Sequence, residues 1–535
     1  MTIKVKNPIL RGFNPDPSII RVGNDYYLAT STFEWFPGVQ IHHSTDLVNW
    51  KLIARPLNRI DQLDLLGVPD SCGVWAPCLS YDKGVFYLVY SNVKSFDGVW
   101  KDTPNYLVTT KDIAGEWSKP DFLSATGFDG SLFHDDDGKK WYLSMLVDHR
   151  KWKTFGGITL QEFNPEARHL EGPVHAIFDG SVLGLTEGPH LYKKDGYYYL
   201  ITAEGGTEYG HAVSIARSEN IVGPYELHPQ NPIITCRNHP EHPLQKSGHG
   251  DLIQTPEGDW YCVFLVGRPL SKRGRCTLGR ETAIAAIEWP ERQWPVLKAG
   301  GNLPPLYFDA ATTQKEWQQT FFDDFDKPEL DIHFQSLRVP IGEDWCSLSE
   351  RRGYLRIRGR ASLSAFHHQS LIAHRIQHFH VEVSTKLDFS PISFQQMAGL
   401  VFYYNTCHFH YLYVSSQNGK RIINIITCDK HVFIEPLESP VYLPDTTPIF
   451  LKGVFNKDAI SFFFATKKNQ WKKVGGDLDG TILSDDYVRD EENRYRPAFT
   501  GSFVGLCCQD LTGGLIPADF DFFSYTELDP ENEKN

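Results

Sequence analysis

One short phrase, a polar turn that often holds glycine followed by an aromatic and apolar strand, occurs five times in the first three hundred residues. The copies are Gly23-Asn24-Asp25-Tyr26-Tyr27-Leu28, Lys83-Gly84-Val85-Phe86-Tyr87-Leu88, Asp137-Gly138-Lys139-Lys140-Trp141-Tyr142-Leu143, Asp195-Gly196-Tyr197-Tyr198-Tyr199-Leu200 and Glu257-Gly258-Asp259-Trp260-Tyr261-Cys262. Each reads as a hairpin turn entering a strand. The tyrosines Tyr27, Tyr87, Tyr142, Tyr199 and Tyr261 are separated by 60, 55, 57 and 62 residues. That spacing accommodates a four-stranded antiparallel sheet with its loops, and five such sheets around an axis make a five-bladed β-propeller. A second phrase follows the tyrosine in several copies: Ser44-Thr45-Asp46-Leu47-Val48-Asn49-Trp50, Thr110-Lys111-Asp112-Ile113-Ala114-Gly115-Glu116-Trp117, and Arg217-Ser218-Glu219-Asn220-Ile221 leading to Tyr225. It marks an outer turn of the blade, with the aromatic packed between neighbours.

The first strand of a propeller blade lines the central channel, so the residues that precede each tyrosine carry the chemistry. Counting back 11 to 13 positions gives Asp16, Trp75, Asp129, Glu187 and His249. Blade equivalence makes these five side chains converge although more than two hundred residues separate the first from the last. Three of them are acids, and three carboxylates at one channel mouth suit glycosidic bond cleavage. One protonated acid serves the leaving oxygen and one carboxylate activates water, while the third raises the donor's pKa by like-charge proximity. Two other readings stay open at this stage. The acids with His249 could hold a hard cation such as calcium, and His249 alone could fill the channel around water or an ion. Trp75 and Phe33 read equally as core packing and as stacking surfaces for a sugar. Arg280, in Leu278-Gly279-Arg280-Glu281-Thr282, follows the last blade phrase, where the chain returns to the channel rim; it reads as a hydroxyl or carboxylate partner, or as a surface ion pair.

Composition narrows the function classes. The 535 residues exceed what one hydrophobic core supports, which implies two domains. A net charge of −13 gives no basic field for nucleic acid. No apolar stretch is long enough for a membrane span, and Met1 to Leu10 lacks the apolar run of a secretory signal. The ten cysteines show no zinc-type spacing, so reduced buried thiols in a cytoplasm are expected. Abundant aromatics and only 3 Met favour strands.

The phrases Gly12-Phe13-Asn14-Pro15-Asp16-Pro17-Ser18, Thr30-Ser31-Thr32-Phe33-Glu34-Trp35-Phe36-Pro37-Gly38-Val39, Trp75-Ala76-Pro77, Phe128-Asp129-Gly130-Ser131-Leu132-Phe133-His134, Thr186-Glu187-Gly188-Pro189-His190-Leu191 and Leu278-Gly279-Arg280-Glu281-Thr282 resemble the family 43 glycoside hydrolases, and among them the β-xylosidases with a second β domain. The resemblance covers nearly the whole chain. It implies an inverting, exo-acting hydrolase that removes D-xylose from the non-reducing end of β-1,4-xylooligosaccharides. On that pattern Asp16 is the general base, Glu187 the general acid, and Asp129 the group that tunes and positions Glu187. Phe33, Trp75, His249 and Arg280 are then expected to shape a short closed pocket. No cofactor is expected to be required, with a structural calcium in the channel as the alternative role for His249. Relatives often carry Asp where this chain has Cys78, which puts a rim contact of that acid in doubt. Cys276 reads as a buried inert thiol close to Arg280 in sequence.

Proline and glycine between about 290 and 320 mark the end of the repeat. The expected division is a propeller over 1–305, a linker over 306–320 and a β-sandwich over 321–535, for an all-β chain. Segments such as Tyr354-Leu355-Arg356-Ile357-Arg358 and Leu400-Val401-Phe402-Tyr403-Tyr404 support the sandwich. The resemblance implies a lectin-like, concanavalin-type fold that lends a loop to the pocket, with Phe499 as the candidate residue, and a dimer or tetramer. Competing readings are an α-L-arabinofuranosidase, a non-catalytic sugar-binding propeller and a retaining β-fructosidase-like enzyme.

Overall fold

In the computed structural model, residues 3–150, 154–310, 312, 320–444, 448–489 and 497–528 are described. Five antiparallel sheets follow one another along the chain, each built from consecutive strands except the first, where the short strand Trp35–Phe36 intervenes between the second and third strands. Blade 1 comprises Ser18–Val22, Asp25–Thr30, Gln40–Ser44 and Lys51–Ala54. Blade 2 comprises Gly73–Asp82, Val85–Val93, Asn105–Thr110 and Asp121–Ser124, and blade 3 Gly127–His134, Lys140–Val147, Phe155–Asn164 and His169–Phe178. Blade 4 comprises Glu187–Lys194, Tyr197–Glu204, Ala212–Ser218 and Glu226–Leu227, with Ile234–Thr235 also paired to its third strand. Blade 5 comprises Gln245–Gln254, Trp260–Gly267, Arg280–Glu288 and Val296–Leu297.

The repeated phrases do the local work expected of them. In blades 2 and 4 the first two strands are joined by Lys83-Gly84 and Asp195-Gly196, all four residues with positive φ, the turn whose twist matches paired strands. The residue after each anchoring tyrosine (Leu28, Leu88, Leu143, Leu200 and Cys262) is wholly excluded from solvent. Each such leucine contributes about 2 kcal/mol by burial. In the second phrase a hydroxyl or Asx side chain accepts a backbone N–H two residues ahead, at Ser44 and Asp46, Thr110 and Asp112, and Ser218 and Asn220. The closing aromatic then donates back to a carbonyl, Trp50 to Leu47, Trp117 to Ile113 and Tyr225 to Ile221.

Side chains bind the blades to each other. Asp251 of blade 5 accepts from the Ile19 N–H (2.8 Å) and Ser18 hydroxyl (3.2 Å) of blade 1 and from the Tyr192 hydroxyl of blade 4. The ring closes where the chain before blade 1 meets the third strand of blade 5. Asn7 donates to the Ile284 carbonyl and accepts the Ile284 N–H, and the Asn14 N–H donates to the Arg280 carbonyl. Residues Tyr307–Ala310, within the stretch expected as a linker, form a strand paired with Ile3–Lys6. Residues 311 and 313–319 of that stretch, and 529–535 at the end, lie outside the described residues.

The chain divides into two compact units, the first of residues 1–63, 72–273 and 280–315, the second of 64–71, 274–279 and 316–535. The second unit is a β-sandwich. One sheet runs Cys346–Ser347, Leu355–Arg358, Pro517–Glu527, His380–Asp388, Ile449–Asn456, Ala459–Ala465 and Lys472–Asp479. The other includes Val432–Ile434, Lys420–Asp429, His408–Gln417, Gln396–Asn405, Phe503–Asp510, Ser370–Arg375 and Gln335–Leu337. Strand alternation puts Val381, Val383 and Leu387 into its core with Leu400, Phe402, Phe455 and Phe462. Gly453 is required there, since a Cβ would stand 2.5 Å from the Phe402 ring.

Two short excursions, 64–71 and 274–279, belong to this second unit, and buried polar contacts explain why. The Arg338 side chain, with no exposed surface, donates to the Val68 carbonyl and pairs with Asp70 at 2.7 Å. Asp70 also accepts from the Thr406 hydroxyl. Ser502 donates to the Thr277 carbonyl at 2.6 Å. Replacing Asp70 by alanine leaves the buried Arg338 charge without this carboxylate and lowers stability by about 3 kcal/mol, seen as an earlier midpoint in denaturant unfolding. Asp70→Asn, which keeps an oxygen acceptor, loses less.

Candidate active site

The inner strands are irregular where the site residues stand. Pairing with the second strand shifts register between Trp75 and Cys78, Phe128 and Ser131, Glu187 and His190, and Gly248 and Gly250. These are bulges, which re-aim side chains at the cost of ladder bonds. Left-handed backbone accompanies them: φ is 53° at Asp16, 55° at Asp129, 57° at Gly188 and 46° at His249. Asp and His are among the side chains that tolerate this conformation best. Gly188 has a second reason to be glycine, because a Cβ would meet the His249 ring at 2.9 Å.

Asp16, Asp129, His249 and Arg280 are all buried, while Glu187 keeps partial exposure. The Ser31 hydroxyl donates to Asp16 Oδ2 at 2.6 Å, and Arg280 Nη1 lies 3.4 Å from Asp16 Oδ1. The same Arg280 nitrogen donates to Thr207 Oγ1 at 2.7 Å. His249 Nδ1 stands 3.9 Å from Asp16 Oδ1. Asp129 is placed from two sides. Its own N–H donates to Ser91 Oγ (3.2 Å), whose hydroxyl donates to Asn105, and Asn105 donates to the Gly127 carbonyl. Its Oδ2 accepts the Gly188 N–H at 3.2 Å, the amide next to Glu187.

Electrostatics bind the three acids into one set. Burial, then the charges of Asp129 and Asp16, raise the Glu187 carboxyl well above the usual range, opposed by Arg280. Burial and Asp16 likewise raise Asp129, opposed by the Gly188 N–H and Arg280. Burial lowers His249 to about 4, so its ring is neutral near pH 7. Arg280 is the cation that lets these carboxyls share a small volume.

Aromatic rings wall one side. Phe33 lies 5.8 Å from Phe13 and 6.2 Å from Trp75, and Trp75 lies 4.9 Å from Phe96 and 5.2 Å from Phe128. The Arg280 guanidinium sits 5.4 Å from the Phe33 ring centre, which ties the wall to the charged set. The structure thus brings together Asp16, Asp129, Glu187, His249, Arg280, Phe33 and Trp75. Phe499 is in the second unit, buried, with its N–H donating to Ser71 Oγ at 3.0 Å. Cys276 is also there, fully buried, its N–H donating to Asp486.

Cys78, which stands where relatives often carry Asp, is a core residue. It is buried with Val89, Leu107, Leu132 and Tyr142, and burial together with Asp251 pushes its thiol up to about 12. Calcium prefers a cage of oxygens, and the donors near His249 supply a poor one: Asp251 already accepts three protein donors. Among the described residues, His249 does not belong to any group of three His, Cys, Asp or Glu ligands gathered within metal-binding reach. Sequence reasoning missed Ser31, Ser91, Asn105 and Thr207. Thr207 had a signal in the Gly205-Gly206 pair before it, whereas the others look like ordinary strand residues.

Residues 5–295 match the family model for glycosyl hydrolases family 43, and 322–526 match the β-xylosidase C-terminal concanavalin A-like domain. A β-xylosidase of Bacillus subtilis (strain 168) is 48% identical, the alignment covering 98% of this chain and 100% of the relative. A xylosidase/arabinosidase 43B of Humicola insolens is 47% identical over 99% of both chains. The crystal structure of a xylan β-1,4-xylosidase from Bacillus halodurans C-125 superposes with a TM-score of 0.94 at 49% identity, covering 98% of this chain and 100% of that one. The chain is therefore a glycoside hydrolase, a five-bladed propeller with a concanavalin-like sandwich, and it belongs to glycosyl hydrolases family 43.

Proposed function

We propose that this chain is an exo-acting, inverting β-xylosidase that releases D-xylose from the non-reducing end of β-1,4-xylooligosaccharides. The observation that carries the reading is the cluster of buried Asp16 and Asp129 with the partly exposed Glu187 and the buried Arg280. Asp16, fixed by Ser31 and Arg280, takes a proton from water as that water attacks the anomeric carbon. Glu187, holding its proton because of burial and its acidic neighbours, gives it to the glycosidic oxygen as the carbon–oxygen bond breaks. Water is consumed, xylose and the shortened chain leave, and solvent returns the proton from Asp16 to Glu187. Asp129 holds the Gly188 amide and keeps Glu187 protonated. Phe33 and Trp75 offer an apolar wall, and no step requires a cofactor. The ten buried cysteines, all outside disulfides, support a reducing, cytoplasmic setting.

The names of the relatives support xylosides as substrates, and the Humicola insolens xylosidase/arabinosidase favours α-L-arabinofuranosides as a second substrate class. Rates on the 4-nitrophenyl β-xyloside and α-arabinofuranoside, measured side by side, rank the two.

Xylose release from xylobiose tests the assignment: Asp16→Asn and Glu187→Gln are each expected to lower kcat by about 10³-fold while the proteins stay folded. Loss of less than about tenfold in either removes that residue from its role. The alkaline limb of the rate profile reports deprotonation of Glu187. Removing the neighbouring charge lowers the Glu187 pKa, so Asp129→Asn is expected to move that limb to lower pH. An unmoved limb contradicts the tuning role.

A further inference from the structure

The residues on either side of Glu187 are gripped by two different carboxylates, and only one belongs to the acid set already described. On the C-terminal side Asp129 accepts the Gly188 N–H. On the N-terminal side Glu204, the last residue of the second strand of blade 4, accepts from the Thr186 hydroxyl at 2.9 Å. Glu204 is 0% exposed and takes two more neutral donors, the Ser181 N–H at 2.6 Å and the Ser181 hydroxyl. Next to it the Gly205 N–H donates to the Gly184 carbonyl at 2.8 Å. The turn 180–186 that delivers the chain to Glu187 is therefore fastened to one buried anion and its neighbouring amide.

Ordinary sheet pairing does not perform this task. Glu187 stands opposite Ala203, but the register then slips before His190, so the ladder is interrupted beside the acid. The same strand end continues through Gly205 and Gly206 to Thr207, which accepts from Arg280, the partner of Asp16. One short run of chain thus reaches both halves of the reaction centre.

We propose that Glu204 is a positioning residue for proton donation: its carboxylate holds the Ser181 to Thr186 turn so that the Glu187 carboxyl faces the glycosidic oxygen. This rests on Glu187 being the general acid. Misplacement of a catalytic group by about 1 Å costs on the order of 10²-fold in rate, so a lost tie is visible. It should be visible only where the leaving group needs a proton.

The test compares xylobiose, whose leaving sugar needs protonation, with 2,4-dinitrophenyl β-xyloside, whose phenolate leaves unaided. Thr186→Val removes the hydroxyl at nearly constant volume, Thr186→Ser restores it, and Glu204→Asp draws the carboxylate back by one methylene. Expected for Thr186→Val and Glu204→Asp are a kcat on xylobiose lower by about tenfold or more, a change below about twofold on the dinitrophenyl xyloside and an unchanged KM, with Thr186→Ser close to wild type. Equal losses on both substrates, or no loss on either, would overturn the proposal and leave Glu204 a purely structural anion. If Glu204→Asp does not fold, the Thr186 pair decides alone. Glu187→Ala serves as the control, expected to show the same split at about 10³-fold. If it shows no split, the general-acid reading fails, and that result is distinct from a failure confined to the Glu204 and Thr186 variants.

Discussion

Everything at this site depends on inner strands that begin irregularly. A regular ladder would point successive side chains to opposite faces with period two and keep one register with the neighbouring strand. Here left-handed residues at Asp16, Asp129, Gly188 and His249 break that alternation, and register slips free amides beside them. The freed groups are reused: the Gly188 N–H meets Asp129 and the Asp129 N–H meets Ser91. Each left-handed non-glycine residue costs on the order of 1 kcal/mol or more. The surrounding sheets, tied blade to blade by Asp251 and Asn7, keep the strained arrangement in place.

The electrostatic design follows from that crowding. Three carboxyls gathered in a buried volume cannot all ionise freely, and one arginine offsets only part of the repulsion. Glu187 and Asp129 therefore hold their protons to higher pH in the folded protein than in the unfolded chain. The stability they contribute is complete below the unfolded carboxyl range and is lost as pH rises through their folded values. Proton retention at Glu187 is what a general acid needs, so the same crowding that opposes stability at high pH favours catalysis.

Much of this was legible in the sequence because the propeller repeats itself. A tyrosine at a fixed place in each second strand locates the inner strand 11 to 13 residues earlier, and that offset alone gathers Asp16, Trp75, Asp129, Glu187 and His249. Other parts carry no repeat and stayed hidden. Ser31, Ser91 and Asn105 each act in one blade only, so no second copy marks them. Excursions 64–71 and 274–279 belong to the second unit through contacts with residues far away in sequence, such as those of Arg338 and Ser502. The burial of Cys78 was hidden for a related reason. Its neighbours along the chain do not show what surrounds it, whereas its neighbours in space, Val89, Leu132 and Tyr142, are core.

The central claim is that Asp16 activates water on one face of the sugar while Glu187 protonates the leaving oxygen on the other. A proton NMR time course on xylobiose tests it most directly, by reading which xylose anomer appears before mutarotation. The account predicts α-xylose first, since water displaces the leaving group with inversion. Initial β-xylose would mean retention through an enzyme nucleophile and would contradict the roles given to Asp16 and Glu187.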